Sequence, residues 1–160
     1  MKTARAWMTA VLFLATICPM LAQDSTSTNT LRFHAVDISV DSTNKPLAAY
    51  QVDFTASASA KIVGIEGGEH EAFKEAPFYD PKAIQQERVI LGAFSTAKAD
   101  KLPTGKTRVA TIHLQTSGDL TPRYEVVVKA AATAGGKKIS VHANAEEKQR
   151  NENDKASGPN

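Results

Sequence analysis

The chain has 160 residues, with 19 basic and 17 acidic side chains, 4 histidines and a formal net charge of +2. No basic stripe alternates with aromatic residues, which argues against nucleic-acid binding. The single cysteine excludes an intrachain disulfide, so the fold depends on its own hydrophobic core.

The first 22 residues are predicted to be a secretory signal peptide. Two basic residues begin it, the apolar run WMTAVLFLATI follows at residues 7–17, and cleavage is expected after Ala22. The run is too short for a transmembrane helix, which needs about 20 residues, so no transmembrane segment is predicted. Cys18 raises the alternative of a lipidated cysteine. The predicted location is therefore secreted, periplasmic or in the cell envelope.

Cleavage would change the composition of the mature chain. It would remove Lys2, Arg5, Cys18 and the only tryptophan, Trp7, leaving 17 basic against 17 acidic residues and a net charge of zero. The mature chain would then have no thiolate for a metal site. It would also have no tryptophan on which a sugar ring could stack.

The first predicted strand covers residues 31–41 and changes phase along its length. Leu31 and Phe33 are apolar on odd positions, whereas the later apolar residues fall on even ones. A β-bulge near His34 and Ala35 would restore a common face.

Six further segments have strand patterns: residues 47–57, 61–65, 88–95, 107–116, 123–131 and 138–143. In the first of them Tyr50, Val52 and Phe54 share one face. Residues 88–95 are apolar on both faces, which predicts a central strand covered on both sides. Short helical turns are predicted at residues 69–75 and 81–86, and a hairpin turn at Gly135–Gly136.

Seven strands without a long amphipathic helix predict an all-β fold, an antiparallel β-sandwich spanning residues 31–143. The flanking segments have a different composition. Residues 23–30 are rich in Ser and Thr and are predicted to be a flexible lead-in, and the charged, Asn-rich residues 144–160 a disordered tail.

An acidic excursion lies between the third and fourth predicted strands. Glu66, Glu69, His70 and Glu71 fall within six residues, and carboxylates with an imidazole suit a divalent cation such as calcium or zinc. A solvated surface loop explains the same residues, since no EF-hand spacing is present. His113 and His142, both on outward phases, would bind a metal only if their strands were neighbours.

No catalytic apparatus is evident, so the protein is predicted not to be an enzyme. The mature chain lacks cysteine and a Gly-x-Ser-x-Gly elbow. A carboxylate pair for glycoside cleavage is assembled only in space, but the shortage of aromatic residues argues against it. Phe78 and Tyr79, in the corner at residues 78–81, either plug the end of the sandwich or form a contact patch.

Several segments resemble the cohesin-like domain family. They are KPLAAYQVDFTA at 45–56, AKIVGIEGG at 60–68, FYDP at 78–81, RVILGAFS at 88–95 and GKTRVATIHLQT at 105–116. The resemblance implies a jelly-roll sandwich of the kind shared with carbohydrate-binding modules, no catalysis, and binding of a dockerin through one sheet face. The Tyr-Asp-Pro of this chain stands at 79–81, not directly after the second strand as in many such domains.

The resulting hypothesis is an exported, non-catalytic module that binds a dockerin-like protein or a polysaccharide. No resident cofactor is predicted, although calcium is compatible with the loop. The predicted ligand-binding residues are Gln51, Asp53, Thr111, His113, Phe78 and Tyr79. The alternative is a metal-binding envelope protein that uses Glu66, Glu69, His70 and Glu71 for calcium or zinc.

Overall fold

A computed structural model describes residues 30–57, 60–118 and 121–148. The predicted leader at 1–22, residues 23–29 of the lead-in and residues 149–160 of the predicted tail lie outside the described residues.

Seven strands form two sheets in the described part of the chain. They are β1 (Leu31–Asp41), β2 (Ala49–Ala56), β3 (Ala60–Gly67), β4 (Arg88–Phe94), β5 (Lys106–Ser117), β6 (Tyr124–Ala132) and β7 (His142–Glu147). The four-stranded sheet has the order β3-β5-β1-β7 and the three-stranded sheet the order β4-β2-β6. All strand pairs are antiparallel.

The inward sides of the two sheets share one hydrophobic core. Ile38 of β1 and Ile112 of β5 belong to the same buried cluster as Val52 and Phe54 of β2. Between the sheets, the Tyr50 hydroxyl donates a hydrogen bond of 3.0 Å to the Val109 carbonyl oxygen. The predicted all-β fold with two packed antiparallel sheets is confirmed, as is the shared inward face of Tyr50, Val52 and Phe54.

The bulge predicted near His34 and Ala35 is wrong. β1 pairs with β5 without interruption from Leu31 to Ile38, so Leu31 and Phe33 are exposed on the outward phase. The register shifts farther along, where Val109 of β5 is the extra residue. Because an extra residue shifts the alternation by one position, the consecutive side chains of Val109 and Ala110 are both buried in β5.

The prediction that residues 88–95 form a central strand is also wrong. β4 is an edge strand of the three-stranded sheet and buries Val89 and Leu91, while Ile90 and Phe94 are exposed. Apolar residues on both faces of this segment favoured a strand buried on both sides. Here the outward apolar side chains instead form part of a surface.

The seventh strand starts and ends later than predicted. β7 continues to Glu147, so residues 144–147, assigned to the tail, belong to the four-stranded sheet. Its inward residues, such as Ala143 and Ala145, are too small to give a strong apolar pattern. Around Lys138 the chain makes only one bridge, to Ala132 of β6, before it crosses to the other sheet.

The predicted helical turns are single 3₁₀ turns, at Glu71–Phe73 and Pro81–Ala83, with a third at Ala99–Lys101. Phe73 is buried and packs edge-on against Tyr50, with ring centroids 5.2 Å apart. The acidic excursion is therefore anchored in the core.

Within the described ranges, no helix has the length and apolar character needed to cross a membrane.

Gly67 and Gly68 allow the excursion to fold back onto β3. A Cβ on Gly67 would lie 1.9 Å from the Lys74 carbonyl oxygen, and one on Gly68 would lie 2.3 Å from the Arg108 carbonyl oxygen. Both obstacles are main-chain atoms, which cannot rotate away as a side chain does. The two glycines are therefore required by close backbone approach.

Substituting Gly68 with alanine should destabilise the fold by about 1–3 kcal/mol, because the methyl group must displace the β5 main chain. Urea unfolding of the purified chain measures the change. Gly64→Ala, four residues earlier in β3, is the matched control, since its Cβ would meet only His113, at 3.6 Å. Equal stability changes in the two variants would contradict the packing argument.

Candidate functional site

The outer face of the three-stranded sheet is centred on the carboxylate of Asp53. Arg88 donates two hydrogen bonds to it, from Nε to Oδ1 at 2.9 Å and from Nη2 to Oδ2 at 2.8 Å. Lys129 places its Nζ 3.1 Å from Oδ2. β4 and β6 thus each supply a cation to one acid on the central strand β2. We call these three residues the Asp53 clamp.

The clamp lowers the pKa of Asp53 from 3.8 to about 2. The hydrogen bond from Arg88 is the main cause, and burial partly opposes it by disfavouring the charged form. The carboxylate is covered by two long side chains that remain partly exposed, 59% for Arg88 and 43% for Lys129. With two cations around one anion, the clamp carries a net charge of +1.

Two exposed phenylalanine rings lie along the β4 edge. Phe78 and Gly92 exchange main-chain hydrogen bonds of 2.8 and 3.0 Å, so Phe78 extends the sheet by one residue. Paired residues in an antiparallel ladder share a face, and the Phe78 ring stacks on Phe94 with centroids 6.2 Å apart and planes 12° apart. The rings are 72% and 65% exposed.

The outward row of β4 runs from these rings to the clamp. Register along β4 places Phe94, Gly92, Ile90 and Arg88 in one outward row, and the row from Phe94 to Arg88 is about 20 Å long. Ile90 is exposed and lies directly opposite Asp53. We call Phe78, Phe94 and Ile90, with Arg88 and Gln51 at their border, the Phe78–Phe94 surface.

Three of the predicted ligand-binding residues therefore lie on or beside this surface: Gln51, Asp53 and Phe78. Gln51 is exposed and lies opposite Gly92. Asp53 is buried beneath the side chains of Arg88 and Lys129. Tyr79 differs from Phe78, because it is half-buried and packs against the core. The predicted aromatic corner thus divides into one contact residue and one core residue.

The other two predicted ligand-binding residues, Thr111 and His113, lie on the opposite side of the protein. They belong to β5 of the four-stranded sheet, so the expected single face of Gln51, Asp53, Thr111 and His113 does not exist. Thr111 is buried and donates a hydrogen bond of 2.7 Å to Asp37 Oδ1, while its hydroxyl oxygen accepts one of 2.9 Å from Arg108. His113 Nε2 lies 3.0 Å from Glu66 Oε1, without the alignment of a hydrogen bond.

The four predicted metal ligands have separate partners. Glu66 faces His113, Glu69 Oε1 accepts a hydrogen bond of 3.0 Å from the Arg108 amide, and Glu71 lies 3.6 Å from Lys74. His70 Nδ1 accepts a hydrogen bond of 3.1 Å from the Ala72 amide and caps the first 3₁₀ turn. No group of three or more His, Cys, Asp or Glu side chains among the described residues is arranged to hold a metal ion.

His113 and His142 are not neighbours either. β1 lies between β5 and β7 in the four-stranded sheet. Across β1, His142 lies opposite Asp41 at one end and His113 lies opposite Ala35 near the other.

An open cleft of about 530 Å³ lies between the first 3₁₀ turn and the loop that follows β4. His70 and Glu71 line one side, and Ser95, Asp100 and Lys101 line the other. Of the four predicted metal ligands, the cleft thus contains only two.

A hydroxyl, imidazole and carboxylate are connected in series at one end of the sandwich. His34 Nε2 lies 2.9 Å from Thr116 Oγ1, and His34 Nδ1 lies 2.6 Å from Glu147 Oε1. This order matches that of a nucleophilic triad. The Thr116 side chain, however, is 1% exposed, so a substrate carbonyl has no access to its oxygen.

The same group joins the two sheets. The Tyr124 hydroxyl, from the three-stranded sheet, donates a hydrogen bond of 3.2 Å to Glu147 Oε2. Burial, followed by the nearby Glu147 charge, raises the pKa of Tyr124 well above its usual range. The geometry therefore fits a structural link at the end of the core.

Comparison with protein-family models, curated proteins and solved structures found no match. The resemblance to cohesin-like domains remains a prediction from the sequence patterns quoted above.

Phe94, Ile90, Arg88 and Lys129 are not among the ligand-binding residues predicted from the sequence. Assigning residues 88–95 to a central strand placed Ile90 and Phe94 in the interior. A fuller use of the alternation could have identified them, because Arg88, Ile90 and Phe94 share one phase and Arg88 is charged.

Replacing Asp53 with asparagine should destabilise the protein at neutral pH by about 1–2 kcal/mol, after allowing for solvent screening of the exposed cations. The folded-state pKa is below the ordinary value, so the carboxylate stabilises the fold above about pH 4, and this contribution is lost as the pH falls towards 2. Urea unfolding at a series of pH values should show the difference from the wild type shrinking over that interval.

Asp100→Asn is the control for removing one negative charge, since Asp100 is exposed. A difference between wild type and Asp53→Asn that is the same at pH 2 and pH 7 would contradict the role of the clamp.

Proposed function

We propose that this protein is an exported, non-catalytic binding module that recognises a protein partner through the Phe78–Phe94 surface. The observation that carries the proposal is the stacked pair of exposed phenylalanines on the same outward face as a cationic clamp, with Arg88 about 20 Å from Phe94 along β4. Large contiguous apolar patches on protein surfaces commonly mark interaction sites. Aromatic and arginine side chains are also the residue types enriched where binding energy concentrates at protein interfaces.

The chemistry of the surface favours a particular kind of partner. Asp53 uses both carboxylate oxygens on Arg88, so it is a poor acceptor for sugar hydroxyls. Arg88 commits two of its five N–H donors to these bonds and remains largely exposed. The complementary ligand has an apolar or aromatic side chain for the rings and a carboxylate for Arg88. Such a combination is characteristic of a polypeptide.

The fold prediction supports the same function. A jelly-roll sandwich of the cohesin-like type would bind its partner through a sheet face, and the outer face of the three-stranded sheet offers the aromatic residues for this. Export rests on the predicted signal peptide at residues 1–22. A polysaccharide is the alternative ligand, to be distinguished by experiment. The separation of Glu66, Glu69, His70 and Glu71 gives a metal-binding function no geometric support.

The test uses the chain without residues 1–22 as bait for proteins from the secreting cell's envelope and medium. Each captured protein is purified and its affinity measured by calorimetry. Phe94→Ala should weaken the affinity for a true partner by roughly 30-fold or more, because truncating a central aromatic contact costs about 2 kcal/mol or more of binding free energy. The variant's stability should change little, since the ring is 65% exposed.

Phe33→Ala is the matched control, because it removes a 57% exposed phenylalanine from the four-stranded sheet. It should leave the affinity unchanged. Equal affinities for wild type and Phe94→Ala, or failure to capture any protein, would contradict the proposal. Binding to a polysaccharide array that Phe94→Ala abolishes would assign the surface to a glycan instead.

A further inference from the structure

The outer edge of β6 differs from the other edge of its sheet. β6 pairs with β2 on one side. On the other side only its C-terminal end is held, where the Ile139 amide donates to the Ala131 carbonyl and the Thr133 amide, just after β6, donates to the Lys137 carbonyl, forming the bridge between Ala132 and Lys138. At the opposite edge of the sheet, Phe78 covers β4 at Gly92. Across the described residues, no strand pairs with the outer edge of β6 between Tyr124 and Ala130.

The hydrogen-bond phase determines which groups point outward. The Ser57 amide bonds to the Arg123 carbonyl, so the alternating pattern directs the main-chain groups of Glu125 and Val127 towards β2. The N–H and C=O groups of Val126 and Val128 therefore point away from the sheet. This segment consists of β-branched residues, which favour strand pairing.

We propose that two copies of this chain associate through antiparallel pairing of their β6 strands, about a two-fold axis at Val127. This register places Val126 opposite Val128 of the second copy and forms about four main-chain hydrogen bonds. The Val127 side chain, 42% exposed on the outer face, meets its own symmetry mate. A self-complementary contact of this kind gives a closed dimer.

The charges on β6 fit this two-fold register. Lys129 is the extra residue at the register shift of β6 on β2, and its ammonium lies on the outer face beside Asp53. In the proposed register Glu125 would face Lys129 of the second copy at the end of the regular segment, and the same pair would recur on the other side of the axis. Glu125 is exposed and has no ion-pair partner among the described residues. Lys129 contacts Asp53 through a three-donor ammonium whose side chain is 43% exposed, so it can also bond Glu125 of the second copy. Opposite charges facing each other across strands stabilise such a pairing.

The dimer would join the two three-stranded sheets into one of six strands. The Phe78–Phe94 surfaces would lie at its two far edges and on the same outer face. The dimer would therefore present two binding surfaces at once and gain avidity for a partner with repeated sites. The pairing itself depends only on β6 and does not require the proposed function.

Analytical ultracentrifugation of the chain without residues 1–22 tests the proposal over a wide concentration range. The wild type should show a concentration-dependent equilibrium between monomer and dimer. Val127→Lys should weaken dimerisation by at least tenfold, because it places two ammonium groups directly opposite each other. Glu125→Lys should weaken it several-fold by facing Lys129 with a like charge, and should do so without altering a buried residue.

Ile90→Lys is the matched control, because Ile90 and Val127 flank Asp53 on either side and are both 42% exposed. Ile90→Lys should leave the dimer intact while weakening the binding of the protein partner. Val127→Lys, conversely, should bind that partner as a monomer. Failure of the proposed function and failure of the dimer are thus separate results.

A cysteine at the axis gives a second measurement. Val127→Cys should form a disulfide-linked dimer under mild oxidation, because facing residues of a non-hydrogen-bonded pair are close enough for a disulfide. The chain without its leader contains no other cysteine. Ile90→Cys should remain unlinked at matched concentration. A wild type that stays monomeric up to millimolar concentration, or a dimer that survives Val127→Lys, would overturn the proposal.

Discussion

The carboxylate of Asp53 constrains the whole three-stranded sheet. It lies on β2, the one strand of that sheet with a neighbour on each side, and it is almost completely covered. A buried carboxylate is costly unless it is paired, and here Arg88 of β4 and Lys129 of β6 neutralise it from the two sides. The same ladder of β4 on β2 that brings Arg88 to Asp53 places Ile90 and Phe94 in one outward row. The hydrophobic core holds the two sheets together, while the clamp satisfies the charge of Asp53 and links the three strands on their outer face.

The alternation of side chains predicted much of the fold because period two is a local property. It identified seven strands and the inward face of Tyr50, Val52 and Phe54 without knowledge of any partner. The alternation failed where the neighbouring strand determines which side chains of a strand point inward. The change of phase in β1 looked like a bulge within that strand, whereas the inserted residue is Val109 on β5 and the odd-numbered Leu31 and Phe33 remain exposed. A bulge alters the register of two strands at once, so one strand's sequence cannot show which of them carries it.

The candidate site was less predictable because it depends on sheet order. Gln51, Asp53, Thr111 and His113 all occupy outward phases, and the sequence correctly separates them from the core. Phase alone does not distinguish two outer faces, and β2 and β5 belong to different sheets. The stacked pair of Phe78 and Phe94 depends on one bridge between the excursion and Gly92, a contact that no local pattern encodes. Likewise, four acidic or histidine residues close in sequence acquire four different partners once the chain folds around Gly67 and Gly68.

The three-stranded sheet uses its two edges differently, and this separates its two surfaces. At β4, Phe78 takes both main-chain groups of Gly92, so this edge is closed to strand pairing at its middle while its side chains stay exposed. The recognition proposed for this edge would therefore depend on its rings and charge rather than on strand pairing. At β6, the main-chain groups of Val126 and Val128 point out of the sheet, and in the proposed antiparallel pairing Glu125 would face Lys129 of the second copy. Ile90 on β4 and Val127 on β6 are equally exposed, although the main chains of their two strands are bonded differently. Exposed apolar area therefore does not by itself determine what a strand binds. What distinguishes the two edges is the main chain beside these side chains, which is hydrogen-bonded to Phe78 at Gly92 and points outward at Val126 and Val128.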